Sequence, residues 1–224
     1  MNDDCRPDVA SSILAGLPEA DRRAVIALAT SRHVSAGTAV CRQGEPAELM
    51  FIVLTGRVRF ARTTAEGGDV LLRYLGPGDS FGLASLIPGP VNYMATGVTA
   101  DEVTLYAWEA AAIRGAAATY PRLSENALRI ALEFLEDLGE RHLSLLSRTA
   151  GQRLARTITH LGATNGKVLP TGVEVRITNH DLAGLADVGM FTVSRQLKVW
   201  EREGHLLKRR QRVVIRHPEA LLID

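Results

Sequence analysis

A single long stretch of helical pattern, residues 121–148, constrains what this chain can fold into more than any other feature. After Pro121 it contains no proline and one glycine, Gly139, and its apolar residues recur at alternating steps of four and three. This heptad-like spacing predicts a helix of about seven turns with one apolar stripe. We expect that stripe to pair with a second copy in a parallel dimer, with packing on the preceding region as the alternative. The residues assigned to the stripe are Leu128, Leu132, Leu135, Gly139, His142 and Leu146.

The region before this helix, residues 35–110, is broken by glycine at short intervals. Between the glycines lie short apolar runs rich in β-branched residues, such as MFIVLTGRVRFA, DVLLRYLG and VTLYAW. Many short strands separated by turn residues are typical of a β-sandwich or barrel of the jelly-roll kind. A short helical segment, Leu17–Ser31, is predicted to lead into it.

The region after the helix, residues 150–224, has the element order of a winged helix-turn-helix. A short helix from Gln152 to Leu161 is followed by a strand, VEVRI, and by two further helices, the first of which begins at the N-cap Thr178. A basic hairpin, HLLKRRQRVVIRH, then follows, and its turn is predicted at residues 208–210.

The two helices before the hairpin have the spacing that a helix-turn-helix requires. Ala183 lets the helices approach closely, Asp187 falls where the chain turns through a left-handed residue, and Val193 plugs the core. That turn position most often carries glycine, and aspartate tolerates the left-handed conformation better than most other side chains. In the second helix, Val193, Leu197 and Trp200 form the stripe that we expect to be buried.

The net charge of +1 conceals opposite charges in the two parts of the chain. Residues 1–149 carry 14 Lys and Arg against 18 Asp and Glu, a balance of −4, and residues 150–224 carry 12 against 7, a balance of +5. A basic C-terminal part predicts a polyanionic partner there, with chance asymmetry as the alternative.

No stretch reaches the roughly 18 to 20 apolar residues of a membrane span, and the acidic N-terminus lacks the pattern of a secretion signal. With only Cys5 and Cys41, no disulfide framework is expected, and we predict a cytoplasmic protein.

In the order and spacing of four segments, the chain resembles the CRP/FNR superfamily of bacterial transcription regulators. These segments are CRQGEPAELMFIVLTGRVRF, then LGPGDSFG, then the long helix, then LAGLADVGMFTVSRQLKVWEREG. The resemblance implies an α+β chain with an N-terminal cyclic-nucleotide-binding-like β-roll (jelly roll), residues 1–120, a long dimerisation helix, 121–148, and a C-terminal winged helix-turn-helix, 149–224. The implied partners are double-stranded DNA and a second copy, with RNA polymerase added if the protein activates transcription.

The resemblance places base-reading side chains on the second helix of the helix-turn-helix. Arg195 stands where the family has an arginine that reads guanine, and Ser194 matches a neighbouring position that some subfamilies use. Met190 and Phe191 replace the usual arginine and glutamate; neither accepts a hydrogen bond from cytosine N4, and both can pack on a thymine methyl group. Packing inside the protein is the alternative role for these two residues.

The remaining predicted DNA contacts lie on the same helix, at the start of the helix before it, and on the wing. Those before the helix and on the wing are expected to touch phosphates, which gives affinity and salt dependence, with a solvated hairpin as the alternative for the wing. These residues are Thr192, Lys198, Thr178, Asn179, His180, Lys208, Arg209, Arg210 and Arg212.

The segment FGLASLIPGPVNYMATGVTADEV corresponds to the phosphate-binding cassette of the family's cyclic-nucleotide branch. Leu83 takes the place of the glutamate that binds ribose, and Asn92–Met94 occupies the region of the arginine that binds the cyclic phosphate. No Arg or Lys occurs between Arg73 and Arg114. A buried phosphate would lack charge-assisted hydrogen bonds, so ordinary cAMP recognition is not expected. The residues of the predicted effector pocket are Phe81, Gly82, Leu83, Leu86, Asn92, Tyr93 and Met94.

The run PVNYMAT in this apolar cassette is similar to that of the nitric-oxide-responsive, haem-associated denitrification regulators of the superfamily. Haem is therefore a candidate cofactor, because a flat hydrophobic group suits an apolar pocket. Its candidate axial ligands are His33 and His142, with packing or surface roles as the alternative. Two cysteines exclude a four-cysteine iron–sulfur cluster within one chain. A different small metabolite or cyclic nucleotide is the alternative effector.

A jelly roll can also be a cupin enzyme, which holds a metal ion with several histidines and a carboxylate. Residues 35–110 contain no histidine, and no Gly-rich phosphate loop, nucleophile elbow or paired-cysteine motif occurs elsewhere. We therefore expect a regulator and not an enzyme. Its expected mechanism is a population shift, in which an effector favours the dimer geometry that fits both reading helices to DNA, with Gly139 as the weak point of the long helix.

Overall fold

The computed structural model describes residues 10–65 and 67–222. The chain divides into two compact units, one running to Glu136 and the other beginning at Asp137, so the boundary falls inside the long helix. The division into three parts, with the helix as a separate segment, stays a prediction. Cys5 and the acidic N-terminal residues lie outside the described part of the chain.

The first unit is built on two antiparallel sheets of four strands each, as the glycine-punctuated pattern predicts. The strands are β1 Thr30–Val34, β2 Ala39–Cys41, β3 Leu49–Thr55, β4 Val58–Thr63, β5 Asp69–Leu75, β6 Ser80–Phe81, β7 Thr96–Thr99 and β8 Val103–Glu109. One sheet has the order β1-β8-β3-β6 and the other the order β2-β7-β4-β5. The β-roll of the predicted α+β fold is therefore confirmed.

Strand β3 is apolar at successive positions because both of its faces are buried. Phe51 and Val53 point into the cluster between the two sheets. Met50 and Ile52, on the other face, pack into a second cluster with residues of the helices. Side chains alternate between the faces of a strand, so only a strand covered on both sides loses the alternating pattern.

The helices of the first unit are α1 Glu19–Ala27, α2 Ala110–Thr119 and the first part of α3 Arg122–Ser147. The long helix predicted from Pro121 to about Arg148 is confirmed in α3. The helical segment predicted to reach Ser31 ends earlier, at Ala27, because Thr30 and Ser31 already pair with β8 in strand β1.

Helix α3 carries two apolar stripes in its first half, where the sequence predicts one. The unpredicted stripe, Leu123, Ala127 and Ile130, packs against the cluster beneath the β-roll sheet. Asn126 lies in the same stripe, and its Nδ2 donates to the main-chain oxygens of Ile13 at 2.9 Å and of Ala15 at 2.8 Å. Helix α3 therefore contacts the β-roll through a different face from the one that carries the predicted stripe.

The predicted stripe is exposed. Leu128, Leu132 and Leu135 are 62%, 51% and 63% exposed, and Leu146 is 75% exposed. At about 100° per residue, the first three lie on the side of α3 opposite Leu123 and Ile130. These side chains are thus not the ones that pack on the β-roll, contrary to the alternative drawn from the sequence.

The second unit is a winged helix-turn-helix, as predicted. Its elements after α3 are α4 Ala150–Asn165, β9 Lys167–Leu169, β10 Gly172–Arg176, α5 Asn179–Ala186, α6 Met190–Arg202, β11 Leu206–Arg209 and β12 Arg212–Ile215. The strands form one antiparallel sheet with the order β11-β12-β10-β9.

Several boundaries in this unit differ from the prediction, among them the end of helix α4, which lies at Asn165 and not at Leu161. Helix α4 begins two residues before Gln152, because Thr149 and Gln152 form a reciprocal capping box. The wing turn lies at Arg210 and Gln211, because Lys208 and Arg209 extend strand β11 and Arg209 pairs with Arg212 of β12. Across residues 10–65 and 67–222, no helix combines the length and apolar character that crossing a bilayer requires.

Candidate nucleic-acid interface and sensor cassette

The turn between α5 and α6 has the geometry that the sequence predicts. Thr178 caps α5: its Oγ1 accepts from the N–H of Asp181 at 3.0 Å, and its hydroxyl donates to the Asp181 carboxylate at 2.7 Å. Asp187 follows α5 in the left-handed region, with a φ of 49°, and its N–H bonds to the oxygen of Ala183. Val193 is fully buried. The small residue, the turn residue and the plug are therefore confirmed.

Two arginines hold this turn from neighbouring helices. Arg153 of α4 donates from Nε to the main-chain oxygen of Ala186 at 3.0 Å and from Nη2 to that of Asp187 at 2.8 Å. Arg141 of α3 donates to the main-chain oxygen of Leu185 at 3.3 Å. The last carbonyls of a helix lack partners within the helix, and cations interact favourably with that end of the helix dipole. The guanidinium groups thus fix the point at which α5 stops and α6 begins.

The sequence gives no sign of these two arginines, because their targets are main-chain oxygens that only the fold brings within reach. Burial lowers the pKa of the Arg141 guanidinium, and the carboxylates of Asp137 and Asp187 oppose that shift. Within α4, no pattern distinguishes Arg153 from Arg156, whose Nη2 instead lies 3.1 Å from the Glu140 carboxylate at the surface.

Helix α6 is attached to its unit along one face. Val193 and Leu197 are fully buried and Trp200 is 1% exposed, which confirms the predicted stripe. Oε1 of Glu201 accepts from the main-chain N–H of Lys208 at 2.9 Å and ties the last turns of α6 to β11. The orientation of α6 on this unit is therefore fixed by the turn before it and by the strand after it.

The opposite face of α6 is apolar at its start and basic further along. Phe191 is 81% exposed and Met190 is 51% exposed, so neither packs inside its unit, contrary to the packing alternative. Arg195 and Lys198 are exposed and follow Phe191 by four and seven positions, the spacing of one helix face. A shallow groove of about 430 Å³ lies along the basic part, lined by Arg195, Lys198, Val199, Glu201 and Arg202.

Two predicted contacts, Asn179 and Ser194, bind each other between α5 and α6. Asn179 Nδ2 donates to Ser194 Oγ at 3.1 Å. A hydroxyl accepts and donates at the same time, so Ser194 keeps a donor for another partner. Thr192 is half-buried, and His180 is exposed at the start of α5.

The wing presents fewer uncompensated charges than its sequence implies. Arg209 and Arg210 are exposed, whereas Lys208 is half-buried. Arg212 Nη1 lies 3.2 Å from the carboxylate of Glu174, which also lies 3.6 Å from Arg176. Arg209 and Arg210 are therefore the wing residues best placed to reach a phosphate.

In the predicted effector pocket, the aromatic residues belong to the sandwich core. The ring of Phe81 stacks on that of Phe51, with centroids 4.7 Å apart. The Tyr93 hydroxyl accepts from the N–H of Leu49 and donates to the oxygen of the same residue, both at 2.9 Å. Burial raises the pKa of this phenol, with the hydrogen bond to Leu49 opposing the shift. Tyr93 thus ties the cassette to β3 and has both of its hydrogen-bonding directions in use.

The other cassette residues are not gathered around Phe81 and Tyr93. Leu83 and Leu86 pack against the cluster under the helices, whereas Asn92 and Met94 are exposed. Gly82 has a φ of 74°, and a Cβ there would come within 2.5 Å of the Leu49 oxygen, so the cassette approaches β3 too closely for a side chain. The seven residues are therefore divided between two packed clusters and the surface.

The two candidate haem ligands face solvent, whereas Cys41 is buried. His33 is exposed on β1, where its Nδ1 lies 3.4 Å from Thr104 Oγ1, and His142 is exposed on α3. Cys41 is 4% exposed, and burial raises the pKa of its thiol to about 11. Among the described residues, no three His, Cys, Asp or Glu side chains are grouped so as to hold a metal ion.

Comparison with known proteins gives one family match in each half of the chain. The model of the cyclic nucleotide-binding domain matches residues 31–120, and that of the Crp-like helix-turn-helix domain matches residues 152–222. The "CRP-like cAMP-activated global transcriptional regulator" of Mycobacterium tuberculosis is 28% identical over 188 residues, which is 83% of either chain.

Two further similar proteins carry different names. The nitrogen fixation regulation protein FixK of Azorhizobium caulinodans is 26% identical over 221 residues, covering 96% of this chain and 86% of FixK. The structure of CLP, described as a c-di-GMP-responsive global regulator of Xanthomonas campestris, aligns with a TM-score of 0.75 at 21% identity, covering 88% of this chain and 99% of that one.

Proposed function

The chain belongs to the CRP/FNR superfamily of transcription regulators, and we propose that it is an effector-controlled homodimer that binds a pseudo-palindromic DNA site. The observation that carries the proposal is the exposed face of α6, where Arg195 and Lys198 project from a helix whose other face is locked into its unit. The match to the Crp-like helix-turn-helix model and the similarity to curated transcription regulators support regulation in preference to catalysis. Because its partner would be chromosomal DNA, we place the protein in the cytoplasm.

We assign base reading to α6. A bidentate Arg195 would bind guanine O6 and N7, a contact worth roughly 1–3 kcal/mol of discrimination. Lys198, Thr192 and Ser194 would lie beside it in the major groove. Met190 and Phe191 would meet the groove at the start of the helix, where they cannot form the hydrogen bonds of the usual arginine and glutamate.

We assign phosphate contacts to the residues that flank α6. Asn179 and His180 lie at the N-terminus of α5, where main-chain N–H groups favour an anion. Arg209 and Arg210 extend from the wing, and Thr178, Lys208 and Arg212 complete the set, with the Thr178 hydroxyl and the Arg212 guanidinium partly engaged inside the unit. These contacts would supply salt-dependent affinity and no base selectivity.

The exposed stripe of α3 supports the homodimer. Leu128, Leu132, Leu135 and Leu146 expose a row of large apolar side chains at heptad spacing, with Gly139 and His142 between them. A copy of the same helix would cover that row, and we propose that the resulting dimer binds half-sites about 34 Å apart, one helical turn of DNA. If the regulator activates transcription, RNA polymerase is the further partner.

We propose that the effector is a ligand other than cAMP, because cAMP could not be bound here in the manner usual for the family. The position of the phosphate-binding arginine falls in Asn92–Met94, where Tyr93 is held by Leu49 and the two flanking side chains are exposed. Leu83, in the place of the ribose-binding glutamate, packs in an apolar cluster. The geometry of the single chain gives haem no support, because His33 is exposed and His142 lies in the stripe assigned to the second copy, whereas an axial ligand lies inside an apolar pocket.

Selection from a random DNA duplex library tests the DNA-binding proposal. We expect a pseudo-palindrome with guanine in each half, and we expect Arg195→Ala to abolish the preference for it while salt-dependent binding to random duplex persists. Arg62→Ala, which removes an exposed arginine of the first unit, is the matched control and should select the wild-type site. The proposal would be contradicted if the wild-type protein selected no site or if Arg195→Ala selected the same site as the wild type.

The affinity for the selected site, measured with and without cAMP, tests the effector proposal. We expect cAMP to change the dissociation constant by less than about twofold, and a tenfold change would contradict us. A haemin titration followed by absorption, with and without nitric oxide, tests the haem hypothesis. One saturable haem per chain that is lost in His33→Ala or His142→Ala would reinstate it.

A further inference from the structure

We propose that the start of α6 reads the C5 methyl group of a pyrimidine, so that binding distinguishes thymine from uracil and 5-methylcytosine from cytosine. This inference rests on the proposed DNA-binding function and specifies what one part of that site recognises. Its basis is the pair Met190 and Phe191, which are 51% and 81% exposed at the first two positions of the helix.

The position of Phe191 on α6 links it to DNA and not to another apolar partner. Phe191, Arg195, Lys198 and Arg202 follow one another by four, three and four residues and share the face opposite the buried Val193. A partner that covers Phe191 and extends along this face of α6 therefore also meets three guanidinium or ammonium groups. DNA satisfies both requirements, since its major groove carries anionic phosphates along its edges and methyl groups on its floor.

The chemistry of the two side chains selects one feature of the groove. Neither a thioether nor a phenyl ring supplies a strong donor or acceptor, so guanine O6, adenine N6 and cytosine N4 gain nothing from them. The thymine methyl group is the apolar feature of a base pair in the major groove. A methyl group at C5 of cytosine occupies the same position on the pyrimidine ring and would be recognised in the same way.

The spacing along α6 locates the base. Four residues separate Phe191 from Arg195, which at 1.5 Å per residue is about 6 Å along the helix axis. Base pairs are stacked about 3.4 Å apart, so the methyl-bearing pyrimidine lies within about two base pairs of the guanine that Arg195 reads. Removing one buried methyl group should weaken binding about fourfold.

The experiment uses the selected duplex with one pyrimidine C5 methyl group removed or added at a time. Each thymine is replaced in turn by deoxyuridine, which keeps all Watson–Crick groups and lacks the methyl group, and each cytosine is replaced in turn by 5-methylcytosine. We expect one position per half-site, within two base pairs of the selected guanine, where uridine weakens wild-type binding about fourfold. At that same position, a cytosine duplex should bind more tightly when its cytosine is methylated.

Two variants assign the effect to the protein. Phe191→Ala should bind the thymine and uridine duplexes equally, whereas a residue that only supports the fold would lower both affinities and leave their ratio unchanged. Met190→Ala should reduce the ratio in part. Val168→Ala is the matched control, because Val168 is also 81% exposed but lies on β9, and it should keep the wild-type ratio.

Each contrary result overturns the proposal in a recognisable way. If the wild type binds every uridine duplex as tightly as the thymine duplex, α6 reads no methyl group, although the DNA-binding function stands. If sedimentation shows that Phe191→Ala dissociates the dimer in the absence of DNA, the exposed ring belongs to an interface between copies. If no site is selected at all, the proposed function fails, and the methyl-reading proposal falls with it.

Discussion

Nη2 of Arg153 lies 2.8 Å from the main-chain oxygen of Asp187, the residue whose left-handed φ of 49° turns the chain from α5 into α6. A left-handed aspartate costs more conformational energy than a glycine, on the order of 1 kcal/mol. The contact with Arg153 stabilises that conformation. The same guanidinium also donates to the main-chain oxygens of Ala186 and Arg148, each at 3.0 Å, and so holds the ends of α5 and α3. The angle between the two helices thus depends on a residue that belongs to neither.

Replacing Arg153 by methionine should destabilise the C-terminal unit. The change leaves carbonyl oxygens of Ala186 and Asp187 without their charged donor, which we expect to lower the free energy of unfolding by about 1–3 kcal/mol, measured by urea denaturation. Arg156→Met is the control, because the exposed pair of Arg156 with Glu140 contributes less than about 1 kcal/mol. Equal losses in the two variants would show that the turn does not depend on Arg153.

Replacing Leu135 by glutamate should dissociate the dimer without unfolding the chain. Leu135 is 63% exposed, so we expect the thermal unfolding temperature of the first unit to change little, while sedimentation shows dimer association weakened by more than roughly tenfold. Ile130→Glu should do the reverse and destabilise the first unit, because Ile130 packs against its core. Glu133→Ala, a change on an exposed position outside the seam, should alter neither quantity. A Leu135→Glu protein that remains dimeric would move the interface elsewhere.

Replacing Gly139 by alanine should stiffen the middle of α3. A Cβ at Gly139 would have no atom within 4 Å, and alanine favours a helix over glycine by about 1 kcal/mol. Hydrogen exchange of the amides around residue 139 should therefore slow by about fivefold. Gly115→Ala, at an equally open position of α2, should leave exchange in α3 unchanged. Unaltered exchange and unaltered DNA affinity in Gly139→Ala would remove the reason to regard Gly139 as a weak point.

The stability of the first unit should depend on the protonation of Cys41 at alkaline pH. Burial raises the pKa of this thiol from 9.0 to about 11, so the folded chain keeps a proton that the unfolded chain loses above pH 9. The stabilisation is complete below pH 9 and is lost as the pH rises to about 11, a change of about 2 kcal/mol. We would measure urea unfolding of Cys5→Ser and of Cys5→Ser/Cys41→Ala at pH 8 and pH 11. A difference between the two proteins that does not vary with pH would contradict the expected shift.

Local patterns sufficed for the elements whose causes are local. The absence of proline after Pro121 and the regular spacing of the apolar residues place α3 within a residue of its observed ends, Arg122 and Ser147. The spacing of Ala183, Asp187 and Val193 similarly predicts the helix-turn-helix, because the three residues belong to two helices joined directly by one turn.

Contacts between distant parts of the chain were not predictable in the same way. The bonds of Tyr93 to Leu49 join residues 44 positions apart, and the target of Arg153 is a main-chain oxygen that any residue would provide. Apolar composition also cannot distinguish the lining of a pocket from a packed core, which is why Phe81 reads as a pocket residue in the sequence and stacks on Phe51 in the structure. The base contacts of Phe191 and Arg195 stay predictions for the same reason, since their partner is another molecule.

The two stripes of α3 restrict how the helix can move. Asn126, Leu123 and Ile130 anchor its first half to the β-roll, so rolling this half about its own axis would break two hydrogen bonds and expose apolar side chains. The direction in which Leu128 and Leu132 point about the helix axis is therefore set by the β-roll that holds this half of α3. Rotation of α3 about its axis and sliding along that axis would both break these contacts before Ile130, so this half of the helix follows the β-roll, and any change in the direction of α3 has to arise as bending beyond that residue.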